Sequence, residues 1–390
     1  MSTLPTDGTV RASAEDTHRH EAFLPAPTPQ AHAANLMPLP NGGLGCVWFG
    51  GTQEGLPDIN IWFSRLDTDA TWTTPTQVSS DPHCSEQNPV LFLSPAGELW
   101  LLYTAQHAGN QDTAEVRGRV SRDNGRNWEP ARTLVPASST GGVFIRQPIA
   151  VLPSGRWLLP VFHCVRPDEG DWRGDLDTSA VLVSDDQGAT WNHHAVPDSE
   201  GCVHMNIVPL QDGTLLALFR RRQADTIHQS RSTDGKHWSA PVPTELPNNN
   251  SSIQAQALHD GRIALVFNAS SAADATARRV SLYDEITSDG RTAAPAPTTE
   301  APPPGTAFWG APRAPLTLAL SPDNGRTWPI RRDLEVGDGY CLTNNSQDGR
   351  NRELSYPSIT QTADGGLHIA FTYFRQAIKY IHVTPDWAHA

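Results

Sequence analysis

The chain has 390 residues, with 29 Lys+Arg against 42 Asp+Glu and a formal net charge of −13. That length can bury a large core, and the acidic balance argues against nucleic acid and anionic membrane surfaces as partners. No apolar run approaches the length of a membrane span. The five scattered cysteines lack metal-ligand spacing and read as free thiols packed in strands.

Residues 1–25 read as a polar arm able to donate a closing outer strand. They lack the apolar core of a secretory signal, so a cytoplasmic location is expected. Residues 26–390 then read as one domain built on two interleaved repeats. The first repeat is an apolar strand, a turn and a second apolar strand. It recurs as Asn35–Trp48, Pro89–Tyr103, Pro148–Phe162, Asn206–Phe219, Ile253–Phe267 and Pro357–Tyr373. Glycine supports each turn: Gly42, Gly97, Gly155, Gly213, Gly261 and Gly365. The second repeat is a polar turn with an aromatic anchor. Ser121-Arg-Asp-Asn-Gly-Arg-Asn-Trp128, Ser184–Trp191 and Ser321–Trp328 share one spacing, Ser232–Trp238 is one residue shorter, and Ser64–Trp72 is a worn copy without the glycine. In each full copy the aspartate can accept hydrogen bonds from its own turn's amides, and the tryptophan has a large ring to bury. A third strand leads into each turn or its remnant, and the sixth unit has Ala377–Val383 in that place.

A strand–turn–strand unit repeated six times cannot bury its faces singly. Closing the units in a ring also removes exposed sheet edges. The expectation is an all-β, six-bladed β-propeller, with each anchor tryptophan packed between strands of its own blade. One segment breaks the rhythm. Residues 271–315 carry Ala, Pro and Thr clusters and read as an insertion inside the fifth blade, a lid if it lies over the pocket face.

In a closed ring the inner strands begin around one axial opening. At one offset before the hairpin turns stand His32, Asn88 with Gln87, Gln147 with Arg146, His204, Ser252 and Tyr356. Polar groups at positions where strands favour Val, Ile or Thr predict a polar pocket on the axis. No metal-ligand cluster or phosphate-cradling glycine loop is present, so no cofactor is expected.

The Ser-x-Asp-x-Gly-x-x-Trp turn resembles the Asp-box of sialidases. Together with Trp48-Phe-Gly-Gly-Thr-Gln-Glu-Gly-Leu-Pro-Asp58, Gly155-Arg-Trp-Leu-Leu-Pro160 and Leu354-Ser-Tyr-Pro-Ser-Ile359, it makes residues 32–382 similar to bacterial predicted neuraminidases, or BNR-repeat proteins. The resemblance implies a six-bladed propeller, a carbohydrate ligand, Tyr356 as nucleophile and an acid/base carboxyl on the loop holding Glu54 and Asp58. It also implies Arg220, and more loosely Arg352, as clamps for an acidic sugar's carboxylate. The chain departs from the pattern at two places. His32 stands nearest the position of the first clamp arginine, and His204 occupies that of the tyrosine's glutamate partner.

Three activities fit these residues. One is an exo-acting glycoside hydrolase on a terminal acidic sugar, sialic acid or a relative, with Asp58 or Glu54 as acid and Arg146 and Arg220 as carboxylate clamps. The second is a polysaccharide lyase, for which His32, His204 and Tyr356 supply acid and base. The third is a carbohydrate-binding propeller without turnover.

Overall fold

A computed structural model describes residues 4–384 except 68, 171, 284, 288, 289 and 292–295, together with Trp387. Six antiparallel sheets form the blades of a propeller, each with its innermost strand followed outward by its hairpin partner. The innermost strands are Gln30–Pro38, Ser85–Leu93, the split pair Gly141–Phe144 and Ala150–Val151, Cys202–Pro209, Gln254–Ala257 and Leu354–Gln361. We number the blades 1 to 6 in that order. The six hairpin glycines have φ between 81° and 89°, a region other residues avoid.

Blade 6 is completed by the arm. Arg19–Phe23 pairs antiparallel with Lys379–Val383, so an N-terminal strand closes a sheet otherwise made of the C-terminal end. The core is divided around the ring. One buried apolar cluster fills each gap between neighbouring blades, as Phe92, Trp100 and Trp157 do between blades 2 and 3.

The polar turns work as their residue types predict. In four of them the serine hydroxyl accepts the glycine N–H at 2.8–2.9 Å, and an aspartate oxygen accepts an N–H further along the turn at 2.8 Å. The tryptophans correct one expectation: they pack between blades rather than within their own. Trp128 of blade 2 meets Phe63 of blade 1 edge-on, and Trp328 of blade 5 joins the cluster shared with blade 4. A Cβ on Gly125, Gly235 or Gly325 would collide with Phe63, Leu158 or Leu216 of the preceding blade. Close approach to a neighbour, as well as positive φ, therefore requires glycine there. Trp238 and Trp328 are buried, whereas Trp128 and Trp191 are half-buried. All five cysteines are free and buried, but only Cys46, Cys164 and Cys202 lie in strands.

The insertion leaves blade 5 between Ile263–Asn268 and Leu316–Ser321. Its described part crosses the face where the innermost strands begin. The Phe308 carbonyl accepts from Asn250, and Trp309 packs against Arg220.

Candidate active site

Four innermost strands break register at the same level, between His32 and Asn35, Gln87 and Val90, Val203 and Asn206, and Ser355 and Ser358. A bulge adds one residue to a strand and re-aims its side chain. Within these breaks Ala33, Asn88, His204 and Tyr356 have φ of 63°, 48°, 54° and 52°. A tyrosine held there costs about 1–3 kcal/mol, the kind of strain that clusters at functional sites. The residue of blade 1 that matches Tyr356 is thus Ala33. His32 reaches the cluster from one position earlier, correcting the offset read from the sequence.

Tyr356 stands among cations. Its phenol oxygen accepts from Arg220 Nη1 at 2.6 Å, and the guanidinium groups of Arg146, Arg220 and Arg313 lie 5.4–5.7 Å from its ring centre. His32 packs against the ring at 4.2 Å between centroids and His204 at 5.7 Å. These buried groups come from blades 1, 3, 4 and 6 and from the segment that ends the insertion.

The arginines divide into two kinds. Arg375 binds both Glu54 and Glu353, and Arg313 binds Glu353 at 2.6 Å, a buried chain Glu54–Arg375–Glu353–Arg313. Arg222 pairs with buried Asp177 at 2.6 Å between the rings of Trp172 and Trp309. Arg146 and Arg220 have neutral partners instead. Arg146 donates to Ser252 Oγ and to the carbonyls of Ala34 and Tyr356, and its Nη1 is buried without a partner. Arg220 donates to Asn250 Oδ1 as well as to Tyr356. Burial pulls Arg146 down to about 10 and Arg220 to about 9, so both remain cationic at neutral pH. Among the described residues these two buried cations have no carboxylate partner, an arrangement able to hold an anion.

The histidines are of the opposite character. Burial first, then the surrounding arginines, holds His32 and His204 well below the usual imidazole value, so both are neutral. Thr372 Oγ1 lies 2.8 Å from His32 Nδ1 and Arg220 Nη1 3.4 Å from His204 Nε2, while His32 Nε2 and His204 Nδ1 are buried without a partner among the described residues.

Of the residues read from the sequence, the fold gathers His32, Arg146, His204, Arg220 and Tyr356. Asn88 is buried at its bulge, one position past Gln87. Gln147 holds structure below the cluster, donating to the Ile253 carbonyl and accepting from Gln254. Glu54 is buried in the ion chain. Asp58 is exposed on the same loop, its Oδ2 accepting from the Thr52 amide at 3.0 Å. Arg352 falls outside the cluster: it is half-buried, bound to Asp338 and set over the Tyr340 ring. Its neighbour Glu353 points inward instead. The sequence reading missed Glu353, Arg313, Arg375 and Asn250. A buried Glu-Leu-Ser-Tyr strand opening was the available signal for Glu353; the three others lie where the chain has no repeat to align.

Among the described residues, no group of three or more His, Cys, Asp or Glu is placed to hold a metal ion.

A family model, the BNR repeat-like domain, matches residues 42–369, and the chain belongs to that family. Its fold is that of the sialidase propellers. The Hadza microbial sialidase Hz136 superposes with a TM-score of 0.65 at 15% identity, over 92% of this chain and 66% of that one. The intramolecular trans-sialidase of Ruminococcus gnavus, solved with oseltamivir carboxylate, gives 0.64 at 13% identity, over all of both chains. A Dyadobacter fermentans protein of unknown function gives 0.65 at 16% identity, over 98% of this chain and 100% of that one. No curated protein matches the sequence.

Proposed function

We propose that the protein is a glycoside hydrolase acting on a terminal acidic sugar, sialic acid or a related one. The observation that carries this is the Tyr356 phenol oxygen, held 2.6 Å from Arg220, a buried cation that no carboxylate among the described residues neutralises. The sugar's carboxylate takes the place of the missing counter-charge on Arg220 and Arg146. Tyr356 is the nucleophile. Arg220 holds the phenol oxygen, and a neutral histidine beside the ring, His32 or His204, takes the phenol proton as the oxygen attacks. The phenolate oxygen bonds the anomeric carbon as the glycosidic C–O bond breaks, and the leaving oxygen takes a proton from a carboxyl group. Asp58 is the acid, because the carboxylate of Glu54 is already bound to Arg375. Water, deprotonated by the same aspartate, then releases the sugar from the tyrosine.

The two neutral histidines beside Tyr356 favour a second reading, a lyase in which histidine removes the C5 proton of a uronate. The test is incubation of the purified protein with sialosides, uronides and rhamnosyl-uronides, read by mass spectrometry and ultraviolet absorbance. A released saturated acidic sugar supports the hydrolase, and an ultraviolet-absorbing unsaturated sugar supports the lyase. No product from any of them contradicts both.

A further inference from the structure

Three glutamines beside the cluster converge on one oxygen that does not belong to the ring. Gln87 lies on the innermost strand of blade 2, Gln106 on its second strand, and Gln111 opens the short 3-10 helix Gln111–Thr113 that follows. Their Nε2 atoms stand 3.3, 3.2 and 3.1 Å from the phenol oxygen of Tyr283, which comes from the insertion. All three glutamines are buried, with exposures of 0, 1 and 6%.

This oxygen fits its cage poorly. A hydroxyl oxygen offers two lone pairs and one proton. Here three amide groups donate to it, while the acceptor within reach of its own proton is Gln87 Oε1 at 3.4 Å. Gln106 Oε1 is buried and has no partner among the described residues. Buried polar groups are normally satisfied, and an orphan costs free energy. Two neighbouring hydroxyls of a sugar offer four lone pairs and two protons, enough for all three donors and for Gln106 Oε1. The cage also adjoins the loop of Glu54 and Asp58, since the Tyr283 ring lies against Gly55.

We propose that Gln87, Gln106 and Gln111 form a subsite for the hydroxyl groups of the sugar ligand, and that Tyr283 occupies it until ligand displaces the phenol. Tyr283 is then a specificity-determining residue. Only a sugar with hydroxyls placed to replace its oxygen gains the three amides. The proposal rests on the reading of the protein as a carbohydrate-acting propeller.

The test is calorimetric titration of the full chain with N-acetylneuraminate and D-glucuronate as probes, comparing wild type with Tyr283→Phe, Gln106→Leu and Gln111→Leu. The expected changes have opposite signs. Tyr283→Phe removes the competing oxygen and tightens binding of at least one probe several-fold. Each glutamine variant weakens it about tenfold, the worth of one buried hydrogen bond. Gln111, outside the strands of the blade, serves if Gln106→Leu does not fold. Glutamine variants that bind as wild type does overturn the subsite. So do a Tyr283→Phe variant weakened in parallel with them, and a Tyr283→Phe variant that binds neither probe. The hydrolase reading is judged separately, by product. Hydrolysis with unaltered binding in the glutamine variants removes the subsite alone, and opposite-signed binding without product removes the hydrolase alone.

Discussion

Arg220 and Tyr356 meet across the ring axis, the second strand of blade 4 reaching the innermost strand of blade 6 through a 2.6 Å hydrogen bond. Among the described residues the guanidinium has no carboxylate partner, so no ion pair there offsets its desolvation. Replacing it with a neutral side chain of similar length removes a cost as well as a few hydrogen bonds. Arg220→Met is therefore expected to change stability by less than about 1.5 kcal/mol. Affinity for acidic sugars should fall at least about a hundredfold. Denaturant unfolding and ligand titration check the two halves.

Arg375 is the opposite case. It binds Glu54 and Glu353, both buried, and Arg375→Met would leave Glu54 without its cation. That should cost about 3–5 kcal/mol, as breaking buried pairs does. A loss as small as that of Arg220→Met would mean that the chain Glu54–Arg375–Glu353–Arg313 holds nothing together.

The histidines predict how stability depends on pH. His32 and His204 lie well below the ordinary imidazole value in the fold, and burial with His382 nearby brings His368 to about 4. Between those values and about 6.5 the unfolded chain binds more protons than the folded one, so stability rises with pH across that window and is lost as pH falls through it. Each such histidine should remove roughly 1.4 kcal/mol per pH unit below about 6.5 until its own folded value is reached. Melting temperatures from pH 7 to pH 5 should fall, and His368→Asn should flatten the curve. A melting temperature that rises on acidification would contradict the buried neutral state.

Asp58 separates protonation from folding. Its side chain is exposed and makes one hydrogen bond to its own loop. Asp58→Asn should leave stability within about 0.5 kcal/mol. It should slow glycosides with poor leaving groups by about 10²–10⁴-fold while sparing activated aryl glycosides. Equal losses on both kinds of substrate would place the acid elsewhere.

The aromatic anchors should divide by burial. Trp328 is 1% exposed between blades 4 and 5, and Trp328→Ala should cost about 3–5 kcal/mol. Trp191, half-buried, should cost less in the same urea titration.

The ring was legible because its signals repeat. Six glycine-centred hairpins and the polar turns occur at regular intervals, and each copy supports the others. The site was legible in part. A side chain at the opening of an innermost strand points to the axis by symmetry, which is how Tyr356, His204 and Arg146 were found. The bulges defeated finer reading: one inserted residue shifts which side chain faces inward, so His32 is one place off the position of Tyr356. The same alternation turned Arg352 outward, against Asp338 and Tyr340, and Glu353 inward. Arg313 and Arg375 lie outside any repeat, and only the closed ring brings them to Tyr356.

The central claim is that Tyr356 attacks the sugar. Tyr356→Phe removes its oxygen and keeps the ring that His32 and the arginines pack against, so melting should hardly change. The turnover number on a substrate the wild type cleaves should fall by at least about a thousandfold. A folded Tyr356→Phe variant retaining more than about a tenth of wild-type turnover, less than about 1.4 kcal/mol of barrier, would contradict the assignment.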